Sequence, residues 1–284
     1  MGLDNYLGIS AMCGDEGTGK TTMALTFPKP IRHFDVDVGG FRRAIWRLTA
    51  EGVESKSYPR PIQVDKLMGT QGTPSTRLVI PKKVEGMKEL WQDIVTDFVA
   101  ACQDAAVSTI VIDSATLLWN ICHQSHLQEL QERQLIRWRN DPQTKNRQFD
   151  ENDYRERLQP MEYGPANDRM RTILHTARAF QKNLVLTHYP TDEYGPMPDG
   201  KGNMVEGKTG KKILDGFKET LKLVDLVVWT SIKETTVAGK TTKEPICKIT
   251  KCGLEGAGLT AVGMETPATY EGIINLVNLL RGAA

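Results

Sequence analysis

The run Gly14-Asp-Glu-Gly-Thr-Gly-Lys-Thr21 constrains this chain more than any other feature. It fits the pattern GxxxxGK[ST] in full, and its flanks are the ones its mechanism needs. Residues 7–13 (LGISAMC) are apolar or small, as in a buried strand that stops at Gly14. A helix is expected from Gly19 to about Thr26, halted by Pro28 and Pro30. Glycines let successive backbone N–H groups turn inward around phosphates, and the helix N-terminus adds its positive end. On this pattern Gly14, Asp15, Glu16, Gly17, Thr18, Gly19, Lys20, Thr21 and Thr22 form a nucleotide-binding segment. Lys20 reaches the β- and γ-phosphates of ATP, and the Thr21 hydroxyl ligates Mg²⁺. A chance match in a chain this long is expected on the order of once in a hundred cases.

A phosphate loop needs a carboxylate partner, and Ile110-Val-Ile-Asp113-Ser114 supplies one at the end of a short apolar strand. Asp113 at that tip is placed to orient Mg²⁺ and its waters. A second acidic tip, Phe34-Asp-Val-Asp-Val-Gly-Gly40, closes the strand that begins at Ile31. Its carboxylates at alternate positions point the same way. Hydrolysis needs a group to orient or deprotonate water, and Asp37 is the candidate; the competing reading is a solvated strand end.

The rest of the chain alternates in the same way. Residues 84–105 carry Met87, Leu90, Trp91, Ile94, Val95, Phe98, Val99 and Cys102 at helical spacing. Residues 116–160 read as long, polar and mostly helical, broken at Asp141-Pro142. Residues 169–182 form an amphipathic helix that feeds the strand Leu184–Thr187. Further strands are expected at 225–232 and 246–251, with a closing helix at 270–280. Residues 52–83, rich in Pro, Gly and Thr, read as strands and loops at an edge. Strands alternating with helices imply an α/β fold with a largely parallel sheet. The expected organisation is one domain over residues 1–284, with a polar helical insertion at about 120–162 and a mobile Gly/Lys-rich loop at about 190–216.

Composition adds exclusions. The 39% hydrophobic and 25% charged content excludes wholesale disorder. No apolar run approaches the roughly 18 residues that span a bilayer, and no secretory pattern opens the chain, so a soluble, cytoplasmic protein is expected. Five cysteines without a CxxC pair argue against a disulfide framework or a structural zinc site. A net charge of +1 leaves nucleic-acid binding to local patches.

The order of these motifs resembles the RecA-like core, and most closely the compact phage-borne ATPases of the AAA-domain group, which include core-only single-strand annealing and recombination proteins. The phosphate loop through Thr22, including Glu16, carries the specific part of that likeness. Tyr163-Gly-Pro-Ala-Asn-Asp-Arg-Met-Arg171 and Gly216-Phe-Lys-Glu-Thr-Leu-Lys-Leu-Val-Asp225 are similar to stretches of the same group. The resemblance spans most of residues 5–255. It implies a RecA-like P-loop ATPase fold, ATP and Mg²⁺ as cofactors, and a homo-oligomer, ring or filament, on single-stranded DNA. A phage single-strand DNA-binding protein is a further implied partner. Asp37 falls where the family carries a catalytic Glu, one methylene longer. His188 falls where RecA has a γ-phosphate-sensing Gln. Lys248 and Lys251 lie in the strand that reaches across to a neighbour's ATP, and a solvated strand face is the competing reading for both.

Between Gly200 and Lys212 stand Lys201, Lys208, Lys211 and Lys212 against Glu206 alone. That stretch is therefore the candidate DNA contact, with salt-sensitive, nearly sequence-independent binding expected. Tyr189 and Tyr194 are candidates for base stacking or for anchoring the loop. Two rival functions share the phosphate loop. One is a small-molecule kinase in which Arg133, Arg137 and Arg139 imitate a lid; the other is a nucleotide-dependent switch or helicase-loading factor.

Overall fold

A computed structural model of the chain describes residues 6–46, 48–61, 82–144, 147–150, 153–198, 200, 203–237 and 240–282. Its centre is an eight-stranded sheet. The strands are β1 (Ile9–Cys13), β2 (Ile31–Asp35), β3 (Val53–Ser57), β4 (Thr109–Asp113), β5 (Asn183–His188), β8 (Leu226–Val237), β9 (Lys240–Cys252) and β10 (Glu265–Pro267). They lie in the order β10-β9-β8-β1-β5-β4-β2-β3. Every pairing from β8 across to β3 is parallel; the pairings β8–β9 and β9–β10 are antiparallel, so β9 alone is reversed in the sheet. The phosphate-loop strand β1 is thus separated from the Asp113 strand β4 by β5. This is the expected fold class in its architecture: α/β, with a mostly parallel central sheet flanked by helices.

Helices cover both faces, so the central strands read as continuous apolar runs. Successive residues of a strand enter opposite cores. Ile110 and Ile112 pack with α3 (Met87–Gln103), α4 (Ala115–Asn140) and α5 (Tyr163–Ala179), while Val111 enters the other core with Met23 and Ile273. That second core lies under α1 (Lys20–Ala24), α2 (Gly40–Ile45) and α7 (Tyr270–Gly282). On α3 the buried residues Trp91, Ile94, Phe98, Ala101 and Cys102 form the one apolar face that the spacing predicts. Ser114 caps α4 by accepting from Leu117 N at 3.3 Å, and the helix stops before Pro142. Ile121 and Cys122 are fully buried, so the stretch expected as an insertion from about 120 begins as core helix; its polar part follows farther along α4.

The two stretches of the family resemblance hold each other. Arg171 forks onto Glu219 with contacts of 2.7 and 2.6 Å, and Arg178 meets Asp225 at 3.0 and 3.1 Å. Asp225 also accepts from Ile9 N at 2.8 Å, which braces the start of β1. The second stretch contains the short helix α6 (Thr220–Leu223).

Residues 190–216 are mostly not a loop. Pro190–Pro198 and Met204–Leu214 form β6 and β7, a separate two-stranded antiparallel ribbon with a bulge between Asp192 and Tyr194. The hairpin β8–β9 also extends past the sheet, pairing as far as Val237 with Lys240. Lys201 and residues 62–81 lie outside the described residues. Among those described, no helix is long and apolar enough to cross a membrane.

Candidate active site

The loop after β1 folds as its glycines require. Gly17 and Gly19 have φ of +76° and +91°, a region other residues rarely adopt. At Gly14 a Cβ would stand 2.3 Å from Thr230 Oγ1, so only glycine passes beneath β8 there. Thr18 donates to Asp15 O at 2.7 Å and meets the Thr230 hydroxyl at 2.7 Å, tying the loop to the root of the β8–β9 hairpin.

Lys20 Nζ donates to the carbonyls of Gly14 at 2.7 Å and Asp15 at 2.9 Å, inside its own loop. Its ammonium stands 5.5 Å from the Tyr189 ring centroid. Burial holds it below the usual lysine range, with the surrounding anionic groups opposing. Cys13, just before the loop, is pushed up to about 12 by burial and is an inert packing group rather than a nucleophile.

Asp113 lies at the bottom of the site, 4% exposed. Thr21 donates to its Oδ2 at 2.7 Å, Thr187 donates to its Oδ1, and His33 Nε2 is 3.7 Å from Oδ2. Burial by itself raises such a carboxyl, but these three neighbours outweigh it and hold Asp113 below the usual carboxylate range. A hydroxyl and an ionised carboxylate are the hard oxygen donors that Mg²⁺ takes, so the residues fit that ion. Thr21 and Asp113 would hold it, and when bound it neutralises phosphate charge.

Asp37 sits past the end of β2 on a turn through Val38 and Gly39, with φ of +48° and +121°. Arg43 of α2 donates to its Oδ2 at 3.1 Å. Tyr189 faces it from the far side; burial and the hydrogen bond to Asp37 both raise the phenol. A cleft of about 850 Å³ opens between these groups, lined by Lys20, Thr21, Asp37, Asp113, Tyr189 and, at its mouth, Trp46.

A sequence model of the AAA domain matches residues 9–252, a span that contains every residue lining this cleft. The chain belongs to the AAA domain family. Family membership implies that the domain binds a nucleotide. No curated protein matches the chain. Among solved structures, a KaiC-like protein from the hyperthermophilic archaeon Pyrococcus horikoshii is similar over 92% of this chain and 85% of its own, at 13% identity and a TM-score of 0.42.

Other candidates in this AAA domain lie elsewhere. His188 is a correction. Strand alternation puts Thr187 on the cleft side and His188 on the opposite face, 1% exposed. Its Nδ1–H donates to Asp215 O at 2.9 Å, and burial pushes its pKa down to about 4. The imidazole is therefore neutral with its proton engaged, and it does not line the cleft. Lys251 donates to the carbonyls of Leu221 at 2.6 Å and Val224 at 2.7 Å, closing the end of α6 within its own chain. Lys248 is exposed on β9, opposite Trp229 and Glu265.

On the ribbon, Lys208 and Lys212 both pair with Asp192, at 2.6 and 2.7 Å. Lys211 is exposed. Over residues 190–214 the sequence sets four acids, Asp192, Glu193, Asp199 and Glu206, against the four lysines, and of these Asp192 on the partner strand β6 takes up two of the lysines expected to form the positive patch. The lid reading of Arg133, Arg137 and Arg139 also fails on distance. Arg133 is 18 residues beyond Ala115 at the start of α4, about 27 Å along the axis.

Sequence reasoning missed Thr187, Tyr189 as a cleft residue, Arg43, Trp46 and His33. The signal for Arg43 was spacing: it stands six residues after Asp37, where a helix entered at Gly40 turns it back. For Thr187 the signal was strand parity.

Proposed function

We propose that this AAA domain is a Mg²⁺-dependent ATPase that works as a homo-oligomer on single-stranded DNA, in recombination or annealing of the phage type. The observation that carries the ATPase reading is the convergence of Lys20, Thr21, Asp113 and Asp37 on one cleft. Lys20 exchanges two loop carbonyls for the β- and γ-phosphates. Asp37, oriented by Arg43 and Tyr189, aligns or deprotonates the attacking water. Trp46, 73% exposed at the cleft mouth, offers an indole surface to the base.

Support for assembly comes from the cations. Arg43, the arginine lining the cleft, is committed to Asp37, so a cation from a neighbouring subunit suits the γ-phosphate; Lys248 is the exposed candidate. Support for the DNA role comes from the ribbon. Its two feet, Tyr189 and Asp215, bond to each other at 2.9 Å at the cleft edge, and Tyr194 on it is 58% exposed for stacking.

The test compares Asp37→Asn with Asp113→Asn. Asp37→Asn is expected to keep ATP affinity while turnover falls roughly 10²-fold or more. Asp113→Asn is expected to raise the Mg²⁺ requirement. Parallel loss of ATP binding in both variants would make Asp37 a structural residue. ATP hydrolysis measured with and without single-stranded DNA tests the partner, and stable binding without turnover in either case favours the switch reading.

A further inference from the structure

One buried carboxylate beside Asp113 has no part in the chemistry above. Asp35 stands opposite Asp113 in the parallel register of β2 and β4, so both side chains leave the sheet on the same face. They are 3% and 4% exposed. Oδ2 of Asp35 accepts from Gly39 N at 2.9 Å and from Ser57 Oγ at 3.3 Å. Oδ1 is shielded from solvent and has no hydrogen-bond partner. A buried carboxylate oxygen without a donor is costly, and a second carboxylate alongside adds like-charge repulsion.

Gly40 shows where that oxygen points. A Cβ built on Gly40 would stand 2.5 Å from Asp113 Oδ2 and 3.6 Å from Asp35 Oδ1. Oxygens of two carboxylates from different strands therefore lie beside the same residue, Gly40 of the cleft lining, and Thr21 Oγ1 is 2.7 Å from the Asp113 one. Any side chain at position 40 would press on the Asp113 carboxylate.

We propose that Asp35 is the second carboxylate of the divalent-cation site, so that Asp35 Oδ1, Asp113 Oδ2 and Thr21 Oγ1 together take Mg²⁺ with its waters over the backbone of Gly40. The inference rests on the nucleotide reading of the cleft and adds a ligand that no motif marks. Among the described residues no cluster of three His, Cys, Asp or Glu is arranged for a metal. Two carboxylates and a hydroxyl suit an ion that arrives with phosphates rather than one resident in a protein cage. Gly40 is glycine because a Cβ there would collide with Asp113 Oδ2, which lets the backbone of α2 pass close over the two carboxylates.

The experiment uses the full chain and Mn²⁺ as the probe, read by electron paramagnetic resonance with saturating ADP, so that no turnover is needed. Binding of a fluorescent ADP in EDTA is measured alongside. Asp35→Asn, which keeps an acceptor for Gly39 N, is expected to bind ADP in EDTA as the parent does and to lose Mn²⁺ affinity by roughly 10- to 100-fold. Asp35→Ser, which keeps a hydroxyl beside Gly39 N without the charge, is expected to lose Mn²⁺ affinity to a similar degree and decides the matter if Asp35→Asn does not fold. Ser57→Ala, which removes only a structural hydrogen bond to Asp35, is expected to keep parental Mn²⁺ affinity. Parental Mn²⁺ affinity in whichever of Asp35→Asn and Asp35→Ser folds overturns the proposal. So does equal loss of metal-free ADP binding in Asp35→Asn and Ser57→Ala, which makes Asp35 a structural brace. A parent chain that binds no ADP at all brings down the nucleotide reading itself, and this inference with it.

Discussion

The cleft and the β6–β7 ribbon are adjacent in space and opposite in construction. Around Asp113 each polar group is held by residues far away in sequence: Thr21, Thr187 and His33 come from three different elements. On the ribbon the polar contacts are local, as between Asp192 and Lys208 or Lys212, and the apolar side chains of Tyr194, Met204 and Val205 are exposed. Such a hairpin gains little from burial and is marginal without a surface to pack on. The strand β5 joins the two: Thr187 near its end lines the cleft, and the chain passes through Tyr189 directly into the ribbon.

The contrast can be broken most forcefully at Lys20. Lys20→Ala is expected to abolish ATP binding by calorimetry, since no other cation of the loop reaches the β- and γ-phosphates; retained binding would mean that the pocket is not the nucleotide site. Next comes the packing that keeps the pocket rigid. Phe98→Ala, at a position 2% exposed, is expected to cost about 3–5 kcal/mol in urea unfolding. Val205→Ala on the ribbon, at a position 46% exposed, is expected to cost less than about 0.5 kcal/mol. Similar costs would erase the distinction between body and arm.

His188 joins the two regions and has its own pH signature. Its folded pKa of about 4 lies below the ordinary histidine value, so between those values the unfolded chain binds the extra proton. Stability is therefore full above about pH 6.5 and falls as pH drops toward 4, by at most about 3 kcal/mol from this group. His188→Leu is expected to flatten that part of the urea-midpoint profile. An unchanged profile would mean that the imidazole is not held neutral.

The smallest effect concerns DNA. Replacing Lys208, Lys211 and Lys212 together by Ala is expected to make the salt dependence of single-strand binding shallower by about 0.7, one phosphate contact. Fluorescence anisotropy of a labelled oligonucleotide at several salt concentrations measures it. A change near three contacts would show that DNA displaces Asp192 from its lysines.

The phosphate loop, the Asp113 strand and the apolar faces of α3 and α5 were legible because each is a local pattern. What depended on register was not. Whether Thr187 or His188 faces the nucleotide turns on which residue of β5 pairs with Cys13, and that pairing is His188 itself, which leaves Thr187 on the side of α1. The closeness of Asp35 to Asp113 is likewise a matter of register between strands 78 residues apart. The ribbon escaped notice because its glycines, prolines and lysines blur the period-2 alternation. The surroundings of Lys251 were hidden for a different reason: backbone carbonyls, its partners, leave no mark in a sequence.

The position of β1 between β5 and β8 has a mechanical consequence. Both neighbours run on into protruding hairpins, and both are laddered to the same short strand. Met12 is paired with Thr187 on one side and Val228 on the other, and Cys13 with His188 and Trp229. Tension applied to either arm reaches β1 as shear across parallel hydrogen bonds, at the two residues that immediately precede Gly14. The molecule has two handles fixed to one pin, and that pin carries the glycine-rich loop from Gly14 to Thr21.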